Sequence, residues 1–194
     1  PTESVEGLFL GATPVRGKTP DALVLPNGFA GEASIEALAP GARVGTGSPR
    51  RQAQLRFLRN DLVLSEVRGN VETRLRKLDE GEYDALVLAT AGLTRLGLRQ
   101  RISCELAPPL MFPAVSQGAV GVECRIDDEP VRQVLSLISD PATMAAATAE
   151  RSLLSTLRAG CHAPLGVATT AEGDSLKLEA VILTLDGAQR WTAS

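Results

Sequence analysis

At 194 residues and 44% apolar composition, the chain has material for one large domain or two small ones around a genuine core. No stretch reaches the roughly 18 uninterrupted apolar residues of a membrane span, three scattered cysteines without a C-x-x-C pair argue against a disulfide framework, and a single histidine, His162, leaves almost nothing for a zinc site or a His-based triad. Net charge is only −3, yet residues 43–101 carry 11 Arg and one Lys against seven acidic residues, and Arg outnumbers Lys 17 to 3 overall, a bias that suits planar, bidentate recognition of carboxylate or phosphate.

The elements follow in order. A short apolar strand is expected at Gly7–Gly11 and a second at Ala22–Leu25, followed by a Pro/Asn/Gly-punctuated loop over 26–33. Ser34 is placed to cap a short helix, Ile35–Leu38, stopped by Pro40. From residue 42 a strand–turn–helix unit repeats. The first has the strand Ala42–Thr46, the turn Gly47-Ser48 and the helix Pro49–Arg59. The second has the strand Leu62–Val67, the turn Arg68-Gly69-Asn70 and the helix Val71–Asp79; the third has the strand Asp84–Ala89 and a helical stretch from Ala91 to Gly97. Alternation of this kind implies a mostly parallel sheet covered on both faces. A further strand is expected at Gly118–Cys124, then helices Glu129–Ile138 and Pro141–Leu157, the latter capped by Asp140. The tail alternates as strands do at Leu165–Ala168 and Leu176–Leu183, with an Asp186-Gly187 hairpin signal.

Three features carry chemistry. In Gly45-Thr46-Gly47-Ser48-Pro49-Arg50-Arg51 a strand ends, glycines turn the backbone and a hydroxyl caps a helix, so free N–H groups and the positive helix end meet. Two arginines in that first turn add positive charge to a positive end, which an arriving anion would relieve; otherwise they are solvated side chains. Arg68 and Arg74 occupy the corresponding turn and helix of the second unit, and Arg95 follows the third strand. Ligands in open α/β sheets bind beyond the carboxyl ends of the strands, so the units deliver arginines to one rim, with salt bridges to Glu66, Glu72 or Asp84 expected for one or two of them. Last, Arg158-Ala159-Gly160-Cys161-His162 puts a thiol among small and basic neighbours after the long helix. Cys161 is either a reactive thiolate or a small buried cysteine; Cys124 fits the second description, and Cys104 decides nothing.

In order, Val44–Gln52, Arg68–Leu75, Leu88–Leu96, Pro113–Gly121 and Glu150–Pro164 resemble the hydroxymethylbilane synthase (porphobilinogen deaminase) family over essentially the whole chain. The resemblance implies stepwise head-to-tail joining of porphobilinogen with release of ammonia, giving a linear tetrapyrrole for porphyrin and heme biosynthesis. It also implies a dipyrromethane cofactor on a thioether to Cys161. Ser48, Arg50, Arg51, Arg68 and Arg74 would bind that cofactor, Thr46 and Arg95 the substrate, and no metal would be needed. Gln117 and Gly118 would lie in a strand connecting the first two domains.

The implied fold class is α/β, with two periplasmic-binding-protein-like domains, the first incomplete, and the start of a small α+β C-terminal domain. Residues 1–38 and 118–150 would belong to the first domain, 40–117 to the second, and 155–194 to the cofactor-bearing third. The family's catalytic Asp lies in a Lys-Asp-x-Pro stretch whose Pro matches Pro1, so it is expected upstream, no residue here is assigned its role, and this chain is expected to turn over poorly alone. Gly47, Pro49, Ser116, Ala159 and Ala163 depart locally from the family pattern, Ser116 standing where Gly is common. A monomer acting on porphobilinogen in the cytoplasm is expected, or in a plastid if a transit peptide preceded Pro1, with no nucleic-acid or membrane partner. The alternative is a non-catalytic anion- or solute-binding module of the same fold, which would have no use for a loaded thiol at Cys161. A nucleic-acid binder is disfavoured by a pI near 5.3 and 3% aromatic residues.

Overall fold

The computed structural model describes residues 5–158, 163–173 and 175–194. Its central feature is a five-stranded sheet built from Asp21–Val24 (β2), Arg43–Gly45 (β3), Val63–Ser65 (β4), Ala85–Ala89 (β5) and Cys104–Leu106 (β6), ordered β4-β3-β5-β2-β6. β3 runs parallel to β4 and β5, whereas β2 is antiparallel to β5 and β6. The expected mostly parallel sheet is therefore mixed. The physical reason is that the segment 13–20 feeds β2 in without a helical crossover, so nothing obliges it to run with its neighbours. Residues 21–24, expected in the first domain with the N-terminal strand, instead sit inside this sheet.

Alternation explains how the sheet is buried on both sides. In β2 and β5, Leu23, Ala85 and Val87 point to one face, where Leu55 and Met111 cover them. Ala22, Val24, Leu86 and Leu88 point to the other, where Leu75, Leu78 and Leu93 lie. Each fully buried Leu or Val contributes roughly 1.5–3 kcal/mol relative to exposure. The covering helices are Pro49–Leu58 (α1), Val71–Asp79 (α2) and Thr90–Arg95 (α3). Each of the first two begins where a side chain caps it: Ser48 accepts from the Arg51 N–H, and Asn70 accepts from the Thr73 N–H at 2.8 Å.

The expected helix at 35–38 does not form. Ser34 Oγ does accept from the Ala37 N–H at 3.1 Å, but four residues before Pro40 leave no length to propagate, and the segment remains a turn. β6, absent from the sequence-based expectation, is only three residues long and carries no clear alternation.

Leu8–Ala12 (β1) and Val122–Arg125 (β7) pair antiparallel as a separate two-stranded sheet beside the helix Glu129–Ser136 (α4). The strand expected from Gly118 begins only at Val122. Residues 115–118 turn instead, with Gly118 at φ +84°, where a Cβ would lie 2.6 Å from the Gly17 carbonyl oxygen. Gln117 and Gly118 thus occupy a turn and not a connecting strand. The helix Pro141–Thr156 (α5) then leads into a three-stranded antiparallel sheet of Leu165–Glu172 (β8), Ser175–Leu183 (β9) and Arg190–Ala193 (β10), ordered β10-β9-β8. One face of that sheet packs Val181 and Leu183 on Ala53 and Phe112, and the other packs Leu165 and Val167 on Leu154. The expected Asp186-Gly187 turn joins β9 to β10, with the Thr184 N–H bonded to the Gln189 carbonyl at 3.1 Å.

Candidate anion site at the strand ends

The carboxyl ends of β4, β3 and β5 each open into a loop or helix start, as the repeated pattern implied. Thr46 follows β3, is buried, and its N–H bonds to the Ser65 carbonyl at the end of β4, tying two of these loops together. Its hydroxyl accepts from the Ser48 N–H at 3.4 Å. Ser48 is spent as the cap of α1.

Arg50 and Arg51, one residue apart, converge on Asp21 at the start of β2. Arg50 Nη1 reaches Asp21 Oδ2 at 2.7 Å and the Phe112 carbonyl at 2.5 Å. Arg51 places Nε at 2.9 Å and Nη2 at 2.7 Å from Asp21 Oδ1, and bonds Nη1 to the Val87 carbonyl. Gln117 Nε2 completes the carboxylate at 3.0 Å, and its amide oxygen faces Arg50 Nη2 at 3.4 Å. Asp21 is fully buried and Arg50 nearly so. Burial by itself would push the Asp21 carboxyl up, but the Arg50 and Arg51 guanidiniums outweigh it and hold the pKa below the ordinary 3.8. Two guanidiniums against one carboxylate leave a formal charge of +1. Arg50 Nε is buried and finds no hydrogen-bond partner among the described residues. A buried donor of this kind is one that an acceptor would satisfy.

The other arginines are held differently. Arg95 Nη2 bonds to the Gly118 carbonyl at 2.6 Å, next to Gln117, so it lies one residue from the Asp21 cluster. Arg68 pairs with Glu66 at 2.9 Å while 87% exposed, an arrangement worth little in stability. Arg74 Nε bonds to the Gly69 carbonyl at 2.8 Å. Among the described residues, Arg68 and Arg74 bond within their own strand–turn–helix unit. Of the anticipated salt bridges only Arg68–Glu66 forms; Asp84 pairs with Arg43 at 3.0 Å instead.

A second buried cluster adjoins the first, and sequence reasoning missed it. Arg16, on the segment between β1 and β2, donates Nε to the Gln117 carbonyl at 2.9 Å and grips both oxygens of Glu150 on α5, at 2.7 and 3.0 Å. Glu150, fully buried, also accepts from the Ser116 N–H at 2.6 Å and from the Thr169 hydroxyl on β8. Ser116 has φ +58°, a left-handed conformation that glycine adopts more readily than serine. Charged residues in a strand-to-strand connection and mid-helix give no periodic signal, so only their pairing reveals them. Cys161 and its neighbours Ala159, Gly160 and His162 lie outside the described residues. Cys104 and Cys124 are free and partly buried, and burial, with Glu36 and Glu105, pushes the Cys104 thiol up.

Fold and site together define a mixed α/β protein with arginines gathered at the strand ends and a small antiparallel sheet appended. Comparison with known proteins is specific. Residues 1–133 match the family model described as porphobilinogen deaminase, dipyromethane cofactor binding domain, and residues 144–193 match that of the porphobilinogen deaminase C-terminal domain. A porphobilinogen deaminase of Roseiflexus castenholzii is 49% identical over 93% of this chain and 58% of its own length; one from Syntrophobacter fumaroxidans is 44% identical over 97% and 60%. Among solved structures, a periplasmic substrate-binding protein of an ABC transporter from Coxiella burnetii is similar at a TM-score of 0.42 and 16% identity, covering 74% of this chain and 67% of that one. The chain belongs to the porphobilinogen deaminase family. It spans about three fifths of the length of the curated relatives it matches.

Proposed function

We propose that this chain supplies the arginine-bearing unit and the beginning of the cysteine-bearing unit of a hydroxymethylbilane synthase, which joins porphobilinogen units head to tail with loss of ammonia to give a linear tetrapyrrole. The observation that carries the reading is the buried, partnerless Nε of Arg50 in a cluster of net charge +1, within a chain of this family. Such a donor fits a dipyrromethane, whose acetate and propionate groups are carboxylates. When bound, dipyrromethane supplies the primer to which pyrrole units are added.

The chain's own residues then divide the work. Arg50 and Arg51 hold a carboxylate at the positive end of α1, and Ser48 and Thr46 keep the loop's backbone in the shape that presents them. Arg95 holds a carboxylate on the substrate side, while Arg68 and Arg74 exchange their present local partners for ligand carboxylates. Cys161 is the point of covalent attachment. Residues 40–117 form the arginine-rimmed domain, joined there by the strand at 21–24, and residues 155–194 open the cofactor-bearing domain. The protein acts as a monomer in the cytoplasm on porphobilinogen, with neither nucleic acid nor membrane as partner. No helix among the described residues is long and apolar enough to cross a membrane.

Intact mass spectrometry of the purified full-length protein tests the reading. The expected result is an adduct of dipyrromethane mass that disappears in Cys161→Ser along with turnover of porphobilinogen. An unmodified protein that is nevertheless fully active would rule it out.

A further inference from the structure

Two adjacent arginines at a positive helix end repel each other and the helix dipole, and left alone they would splay toward solvent. Here they do not, because one fully buried carboxylate from a different segment takes both. Asp21 is the first residue of β2, the strand that enters the sheet against the direction of its neighbours, and this reversal is what brings its N-terminal residue to the end of the sheet where β3 and β5 finish. Its Oδ1 accepts from Arg51 Nε, Arg51 Nη2 and Gln117 Nε2, and its Oδ2 from Arg50 Nη1. The Nη1 group of Arg50 is thereby consumed by Asp21 and the Phe112 carbonyl and Nη2 faces the Gln117 amide oxygen at 3.4 Å, which leaves Nε alone without a partner among the described residues.

We propose that Asp21 is a positioning residue that locks both guanidiniums and sets the Arg50–Arg51 pair at one net positive charge, the charge with which the pair meets a ligand carboxylate. The proposal deepens the carboxylate-binding reading of this rim and rests on it. Asp21 itself makes no contact with ligand and moves no proton.

The test uses citrate as a tricarboxylate probe, titrated by calorimetry into the unaltered protein, Asp21→Asn and Asp21→Glu over a range of salt concentrations, with circular dichroism to verify folding. Asp21→Asn takes the pair from +1 to +2, so the salt dependence of citrate affinity should become about twofold steeper. Asp21→Glu, which restores the charge, should return it to the unaltered slope. In the cofactor-loaded protein, Asp21→Asn should lower kcat for porphobilinogen at least about tenfold without raising KM, because orientation is lost while charge attraction is not. A folded Asp21→Asn protein with an unchanged salt slope overturns the proposal. Should that variant fail to fold, Arg51→Gln carries the test: it leaves the pair neutral, and citrate affinity should fall at least about fivefold, an unchanged affinity again overturning it. If the unaltered protein proves to carry no cofactor mass while citrate responds as described, the synthase reading fails and the role of Asp21 stands.

Discussion

Glu150 shows what a buried charge demands. It sits at zero exposure, and its two oxygens are met by the Arg16 guanidinium, the Ser116 N–H and the Thr169 hydroxyl. The pair is not evidence of great stability, since the desolvation of both ions offsets much of their attraction. Breaking it is another matter, because every partner is left unmet at once. Glu150→Ala should lower unfolding free energy by about 3–5 kcal/mol, measured by urea denaturation, whereas Thr169→Val should cost only about 1 kcal/mol. Equal losses in the two variants would show that the carboxylate is not the hub. Arg16, Gln117 and Glu150 come from three separate stretches of chain, and through Gln117 this cluster touches the Asp21 cluster.

At the scale of elements, the two β-α loops of the anion rim are built by familiar local chemistry: a side-chain cap, proline at the first turn of α1, and acidic Glu72 in the first turn of α2. The docking of the C-terminal sheet on α1 is less local. Gly187, at φ +73° in the β9–β10 turn, lies so close to α1 that a Cβ would sit 2.7 Å from Arg56 Cβ and 2.8 Å from the Ala53 carbonyl oxygen. Arg56 Nη1 secures the same turn through the Leu185 carbonyl at 2.7 Å. Because α1 also presents Arg50 and Arg51, this contact ties the sheet that follows Cys161 to the arginine rim. Gly187→Ala should therefore destabilise the protein by about 1–3 kcal/mol, through both the positive φ and the clash with α1. Thermal unfolding would reveal it, and a neutral substitution would mean that the turn stands away from the helix.

Across the whole molecule, burial is uneven. The central strands β2 and β5 are sealed on both faces, while the two-stranded β1–β7 sheet and α4 leave Leu137 at 84% and Val134 at 63% exposure, with Ile126, Ile138 and Phe9 also in water. A two-stranded sheet is marginal by itself, and an apolar group of this size on the surface invites association. Leu137→Lys should raise the solubility of this chain in a precipitation assay while shifting its stability by no more than about 0.5 kcal/mol. A variant that precipitates at the same concentration would show that self-association proceeds elsewhere.

Local patterning was enough to reveal the helices α1, α2, α4 and α5, the hairpin at Asp186-Gly187 and the arginine-bearing loops, because caps, glycines and a 3.6-residue period act over a few residues. Collinear motifs likewise carried the family, which the comparisons established. Tertiary structure alone decided that β2 joins the central sheet in reverse, that Asp21 takes both Arg50 and Arg51, and that Glu150 closes on Arg16. These outcomes depend on partners 29 to 134 residues apart along the chain, and the sign of a buried charge fixes only that it must be compensated, not which distant segment does so.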